Sequence, residues 1–282
     1  MKKSLARKEK AFNWVLFALL AAGCVIVLYP FLWMLSTSVE ANKYVYKDGL
    51  VPIEWHWENY ANIWNEVNLV QGFVNSTVIT VVTVAISTIV ATIAAFAFAK
   101  LRFRGKNVAF LVLMTSSMIP FAVIMLPQFV LFKSVGLLKD AWAYVIPRLT
   151  GGVFTIFFLR QFMCSIPDSM IEAAKIDGAN YIQIFFRLVL PLAMPAVTAQ
   201  LILGFVGTWN DYLGPLLFIR NENFYTLPII LSKFNSASTG ANNQVPMLMV
   251  ASFLSMVPVL VFYAVFQKKI VDSVMMSGTT GE

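Results

Sequence analysis

The sequence predicts an all-α integral membrane protein of six transmembrane helices with both termini on one side, and three observations carry that prediction. First, apolar residues make up 59% of the 282 positions and charged residues only 12%, against about 45–50% and about 25% in soluble domains. A chain this apolar cannot cover its surface with polar groups in water. Second, six apolar runs approach or exceed the roughly 20 residues that cross the hydrocarbon core. Third, Lys and Arg are shared unequally between the two sets of loops, which orients the spans. Spanning β-strands fit poorly, because they alternate in segments of about 10 residues and these runs are apolar all round.

Taken in order, the chain begins with a basic head (Lys2, Lys3, Arg7, Lys8, Lys10) and an uncharged segment from Ala11 to Val39. That segment exceeds the signal-peptide apolar core of about 7–15 residues, so it reads as a retained anchor with its span near residues 14–35. The following loop carries Trp57, Tyr60 and Trp64 at helical spacing, as expected of an amphipathic helix at headgroup level or of a surface for an external partner. His56, the only histidine, reads as a polar loop residue. The second span, near 73–99, clusters Ala91, Ala94, Ala95, Ala97 and Ala99. Small residues permit close helix approach, which predicts a central position. The third span, near 108–132, holds Pro120 and Pro127 and predicts a bent helix packed inside the bundle.

The fourth span, near 142–159, contains Arg148, and the fifth, near 188–219, contains Asp211 within Trp209-Asn210-Asp211-Tyr212. An ionisable residue inside a span faces a bundle interior or a wet cavity. Near the outer interface its cost falls away, and Arg148 can snorkel to water. Trp209, Asn210, Asp211 and Tyr212 are therefore candidates for a translocation path or gate, with structural placement as the alternative. No pair of charges is expected near the midplane. Residues 220–244 are polar and rich in Asn, Ser and Gly, which predicts a flexible lip or a segment that orders against a partner. The sixth span lies near 245–266.

With six spans, fourteen Lys and Arg fall on the side of the termini and six on the other, which places both termini in the cytoplasm. The net charge of +7 then reflects loops facing the anionic leaflet rather than nucleic-acid binding, for which no basic groove with interleaved aromatics exists. Cys24 and Cys164 have no disulfide or metal spacing. The expected organisation is a cytoplasmic segment over 1–13, a transmembrane domain over 14–269 with a cytoplasmic loop at 160–190, and a cytoplasmic tail over 270–282.

That loop is the one polar stretch set between two apolar ones. Ser165 is a plausible helix cap, Pro167 suits a first turn, and Asp168 favours the helix dipole. Ile166, Met170 and Ala174, widened by Ile171, form one face. Gly178 ends the short helix. Tyr181, Ile184, Phe185 and Leu188 form a second face, and Pro191 marks a bend into the fifth span.

The pattern Glu172-Ala173-Ala174, two residues, Asp177-Gly178-Ala179, then Leu190-Pro191 resembles the "EAA" loop of ABC importer permeases with the MetI-like fold. The resemblance covers nearly the whole chain. Asn59-Tyr60, Asn75-Ser76, Ala94 through Lys106, Met118-Ile119-Pro120, Leu159-Arg160-Gln161-Phe162, Ile166-Pro167 and Trp209-Asn210-Asp211 resemble the carbohydrate branch. Within it the match is to the smaller permease subunit, the G-type subunit of maltose importers. Ser277-Gly278-Thr279-Thr280-Gly281-Glu282 departs from the family, whose members commonly end in a Gly-rich, Lys-containing segment.

The resemblance implies a multi-pass permease in a bacterial or archaeal cell membrane, importing sugars such as di- or oligosaccharides by alternating access. It implies a second permease subunit, a dimer of cytoplasmic ATPase subunits and an extracytoplasmic solute-binding protein as partners. Glu172, Ala173, Ala174, Asp177 and Gly178 would form the coupling helix that docks on the ATPase. ATP and Mg would sit in that partner, since no G-x-x-x-x-G-K-[ST] phosphate loop occurs here. The chain is thus expected not to be an enzyme and to carry no cofactor or metal. Glycerol phosphate, an amino acid or a peptide as the solute is an alternative within this architecture. A transporter working alone is a second alternative, and it lacks paired midplane charges.

Overall fold

The computed structural model describes residues 2–46, 49–238 and 244–278. Its helices are α1 (Lys2–Ser38), α2 (Asn59–Glu66), α3 (Leu69–Lys100), α4 (Lys106–Ser116) and α5 (Phe121–Ser134). They continue with α6 (Trp142–Arg148), α7 (Val153–Cys164), α8 (Asp168–Ile176), α9 (Tyr181–Ile184) and α10 (Leu190–Trp209). The last three are α11 (Leu213–Phe218), α12 (Leu227–Ser238) and α13 (Val245–Gly278). The chain forms two compact units, Met1–Leu69 with Leu231–Met256 and Val70–Ile230 with Val257–Glu282. Among the described residues, five helical stretches are long and apolar enough to cross a membrane, and the bent pair α4 and α5 brings the number to six.

In the first unit, α1 begins at Lys2 and runs unbroken through Pro30. The loop after it is folded around Glu40, whose carboxylate accepts from the amides of Ala41, Ile53 and Glu54 at 2.8–3.1 Å. Burial opposes that charge, but the three amides outweigh it and hold the carboxyl below the usual range. His56 stands between Glu58 and Glu54. The hydrogen bond to Glu58 is the main cause that raises its pKa. In α2 the expected aromatic face is split. Trp57 precedes the helix and is exposed, as is Trp64, whereas the Tyr60 hydroxyl lies 2.9 Å from Ser38 Oγ.

In the second unit, α3 is central, as its small residues predict. Ala91 and Ala95 are fully buried, and a polar row of Ser76, Thr80, Thr83, Thr88 and Thr92 is buried with them. A hydroxyl in a helix interior can bond back to its own backbone, as Thr92 does, whereas Thr83 Oγ1 is buried without a hydrogen-bond partner among the described residues. Thr92 Oγ1 donates to Thr88 O at 2.6 Å. The main core joins Ala91, Ala95 and Phe96 of α3 to Ile156, Leu159 and Met163 of α7, Ile171 of α8, and Ile184 through Val197 of α9 and α10.

Several expectations change. The third span is two helices meeting at 91°, with Pro120 as the N-cap of α5. It is not packed inside the bundle, since neither α4 nor α5 has a buried residue among those described. Lipid is as apolar as these side chains, so nothing drives them inward. The fourth span extends to Cys164 but breaks after Arg148, where Gly151 and Gly152 take positive φ of 93° and 64°. The fifth runs from Tyr181 to Trp209 and continues as a separate short α11. Pro191 is met by a π turn over Phe185–Val189, which relieves the clash of its ring with the carbonyl four residues back. Residues 220–244 are not a bare lip: α12 occupies much of them and buries Leu227 and Ile229. The sixth helix reaches Gly278, so the expected tail at 270–282 is helical to that point, and residues 279–282 lie outside the described residues.

The start of α9 is set by a capping box. Asn180 Oδ1 accepts from Gln183 N, and Gln183 Oε1 accepts from Asn180 N, both at 2.9 Å. Asn180→Ala is expected to cost about 1 kcal/mol, read as a lower unfolding temperature of the detergent-solubilised protein.

Candidate functional site

The polar loop folds as the local residues dictate, with one correction at its start. Pro167 is extended (φ −59°, ψ 135°) and sits at the cap, with Asp168 opening α8. Ser165 does not cap it: its hydroxyl donates to Phe162 O at 2.7 Å and closes α7 instead. At the other end Gly178 takes φ +84°. Gly178 N donates to Lys175 O at 3.0 Å and Ala179 N to Ala174 O at 2.9 Å. These two bonds are a Schellman closure, which needs a left-handed residue that glycine supplies without strain.

The inward face of α8 is Ile171, which joins the main core with Ile166. Met170, expected on that face, is exposed, and so is Tyr181 of the next helix. Tyr181 is held outside by Lys175, whose ammonium donates to its hydroxyl at 2.9 Å and lies 4.5 Å from its ring centroid. Glu172, Ala173, Asp177 and Gly178 are all exposed and Ala174 is half-buried. Beside them Ile176 is 86% exposed. The helix thus has a buried root and an outward surface that mixes acidic and apolar groups. Lys100 reaches its first turn, donating to Asp168 Oδ1 at 2.7 Å. That contact holds the Asp168 carboxyl below the usual range.

The second candidate stretch is divided by the fold. Trp209 is a core residue, 3% exposed, stacked on Phe205 with ring centroids 5.8 Å apart. Asn210 and Tyr212 are exposed, and Asn210 Nδ2 donates to Val206 O at 3.0 Å. Asp211 falls in the gap between α10 and α11 and is paired. Arg148 Nη2 donates to Asp211 Oδ2 at 2.7 Å, and Tyr144 Oη donates to the same oxygen at 3.0 Å. Gly214 N donates to Oδ1 at 3.1 Å. The guanidinium also lies 3.8 Å over the Tyr144 ring.

Arg148 and Asp211, expected as separate charges, are therefore one ion pair. Arg148 ends α6, Asp211 lies in the gap after α10, and each is the other's partner. The signal was present: two costly ionisable groups in separate spans are most cheaply accommodated together. Tyr144 and Gly214 carried no signal of their own. Among the described residues, no three His, Cys, Asp or Glu side chains are grouped so as to hold a metal ion.

Residues 87–275, which include α8 and the Arg148–Asp211 pair, match the family described as binding-protein-dependent transport system inner membrane component. The chain belongs to this family. As one of these inner membrane components it resembles several curated permeases along nearly its full length. It is 29% identical to the diacetylchitobiose uptake system permease protein NgcG of Streptomyces coelicolor, over 97% of this chain and 91% of the relative. It is also 29% identical to the arabinooligosaccharides transport system permease protein AraQ of Halalkalibacterium halodurans, over 95% and 97%.

Among solved structures, a chain of a bacterial ABC transporter involved in the import of the acidic polysaccharide alginate superposes with TM-score 0.80 at 27% identity. The likeness covers 93% of this inner membrane component and 97% of that chain. The methionine ABC transporter MetNI superposes at TM-score 0.55 and 14% identity over 73% of this chain and 95% of that one, a likeness of fold alone. The MetI-like permease fold expected from the EAA pattern is thus the fold present.

Proposed function

We propose that this inner membrane component is the permease subunit of an ATP-driven importer of sugars, with di- or oligosaccharides as the solute class. It supplies half of a path completed by a second permease subunit. A solute-binding protein outside the membrane delivers the sugar, and a dimer of cytoplasmic ATPase subunits holds and hydrolyses ATP with Mg. Both termini and α8 face the cytoplasm, in keeping with the Lys and Arg bias. The two curated relatives named above, each described by the saccharide it takes up, support the solute class.

The observation that carries the docking role is the exposure of the α8 tip. Ile176 stands 86% exposed between Glu172 and Asp177, while the root of the same helix is fixed by Ile171 in the main core. A short helix that is rigid at its base and apolar at its tip is built to be covered by another protein. Glu172, Ala173, Ala174, Asp177 and Gly178 form that coupling helix. Asp211, with Trp209, Asn210 and Tyr212 around it, contributes to the gate of the translocation path through its tie to Arg148.

Co-expression with a candidate ATPase subunit is expected to give a stable complex. Glu172→Ala and Ile176→Asp should each lower uptake at least about tenfold, the equivalent of 1.4 kcal/mol of coupling, while the chain still reaches the membrane. Wild-type uptake in these variants, with no copurifying ATPase, would falsify the docking role. Binding of oligosaccharides against glycerol phosphate by the cognate solute-binding protein tests the solute class.

A further inference from the structure

The two ends of α3 are each pinned to a distant segment by side-chain bonds to backbone. At its C-terminal end Lys100, whose side chain is 3% exposed, donates to Ile166 O at 2.6 Å and to Asp168 Oδ1 at 2.7 Å. These two acceptors flank Pro167, where α8 begins. At the other end Asn75 Nδ2 donates to Asn223 O at 2.8 Å and Tyr225 O at 3.0 Å. Gln71 Nε2 donates to Glu222 O at 2.7 Å, and Ser76 Oγ accepts from Leu227 N at 2.8 Å. Gly72 allows this approach: a Cβ there would stand 2.9 Å from Ile230 Cδ1 and 3.3 Å from Leu227 Cα.

Between the pins α3 runs 32 residues, about 48 Å at 1.5 Å per residue, which exceeds the hydrocarbon thickness. It contains no proline and no charge before Lys100. A burial this complete would be wasteful for a lysine that served only solubility, because an ammonium withdrawn from water must be repaid by its acceptors. The loop that follows is shaped to leave Lys100 free for this contact. Lys106 Nζ, not Lys100, covers the end of α3, donating to Ala99 O at 3.2 Å and to Leu101 O just past the helix at 3.0 Å.

We propose that α3 is the rod that carries movement of the docking helix across the membrane to residues 222–227, with Lys100 as its inner positioning residue and Asn75 as its outer one. This rests on the docking role of α8. A helix with continuous backbone bonding transmits axial displacement with little loss, whereas the neighbouring spans are interrupted at 149–152, at 210–212 and between α4 and α5. Tyr181–Trp209 is a second unbroken helical stretch beside α8, but it carries the π turn at Phe185–Val189 and ends at the gap of 210–212, whereas α3 is hydrogen-bonded at both ends to the segments it would link.

The test uses the full complex in vesicles, with saccharide inside the binding protein and ATP on the ATPase side, and reads sugar taken up per ATP hydrolysed. Lys100→Met and Asn75→Ala are each expected to lower that ratio about five- to tenfold, with ATPase copurification unchanged. Lys100→Arg, which keeps a cationic donor, should recover most of it. Asp168→Asn should fall between, because the Ile166 carbonyl contact remains. An unchanged ratio in both Lys100→Met and Asn75→Ala overturns the proposal, as does a loss of uptake and ATP hydrolysis in strict proportion to the folded chain. If the wild-type chain binds no ATPase, the docking role fails and the rod falls with it. If Glu172→Ala uncouples while Lys100→Met does not, only the rod fails.

Discussion

Asp211→Ala is expected to reduce the folded protein in the membrane severely, by about 3 kcal/mol, because it leaves the Arg148 guanidinium charged and unpaired within a span. The two side chains are only 31% and 22% exposed, so water screens the remaining charge incompletely. The loss also strips the acceptor from Tyr144 Oη and from Gly214 N. Arg148→Ala should cost less, since Asp211 keeps those two donors. Replacing both, as in Arg148→Met with Asp211→Leu, should return much of the stability, because neither charge is then stranded. The chain level in membranes and the unfolding temperature in detergent check this ordering. Uptake by the double variant then separates two roles. Recovered folding with uptake still lost assigns the pair to the gate; recovery of both makes it a brace between α6 and α11.

Gly151→Ala is expected to destabilise the folded protein by roughly 3 kcal/mol. About 1–2 kcal/mol comes from placing an L-residue at φ +93°. The remainder comes from overpacking, at about 1–3 kcal/mol: a Cβ at Gly151 would lie 2.8 Å from Ala91 N and 3.0 Å from Ala91 Cα. Ala91 is fully buried in the continuous α3, so the contact cannot be relieved by turning a side chain. Gly152→Ala is the internal control. Its φ is also positive, but the nearest atom to the new Cβ is Thr155 Oγ1 at 3.8 Å, so only the backbone term should remain. Thermal unfolding of the two variants side by side reads the difference directly.

The break that Gly151 occupies shows where local reading stops. In sequence, Leu149-Thr150-Gly151-Gly152 is a small-residue interval in an apolar run, and hydropathy averages over it. Its meaning depends on Ala91, sixty residues away, whose backbone comes close enough to exclude a side chain. The face of α8 shows the same limit. Period alone makes Met170 and Ile171 both acceptable as inward residues, and the core selected Ile171 because Ile166, Ile184 and Phe185 meet there. Residues 220–244 misled in the other direction. Their average polarity is high, yet Leu227 and Ile229 find a buried position and order α12.

What the sequence by itself determined was everything set residue by residue: the apolar spans and the stop of α8 at Gly178. Transfer free energy and backbone freedom belong to single residues, so these features need no knowledge of the fold. Only the tertiary structure decided who partners whom. Arg148 and Asp211, 63 positions apart, and Lys100 and Asp168, 68 apart, are joined by helix packing that no local pattern encodes. A charge withdrawn from water specifies that it must have a partner, and the packing of α3, α6, α7 and α10 specifies which.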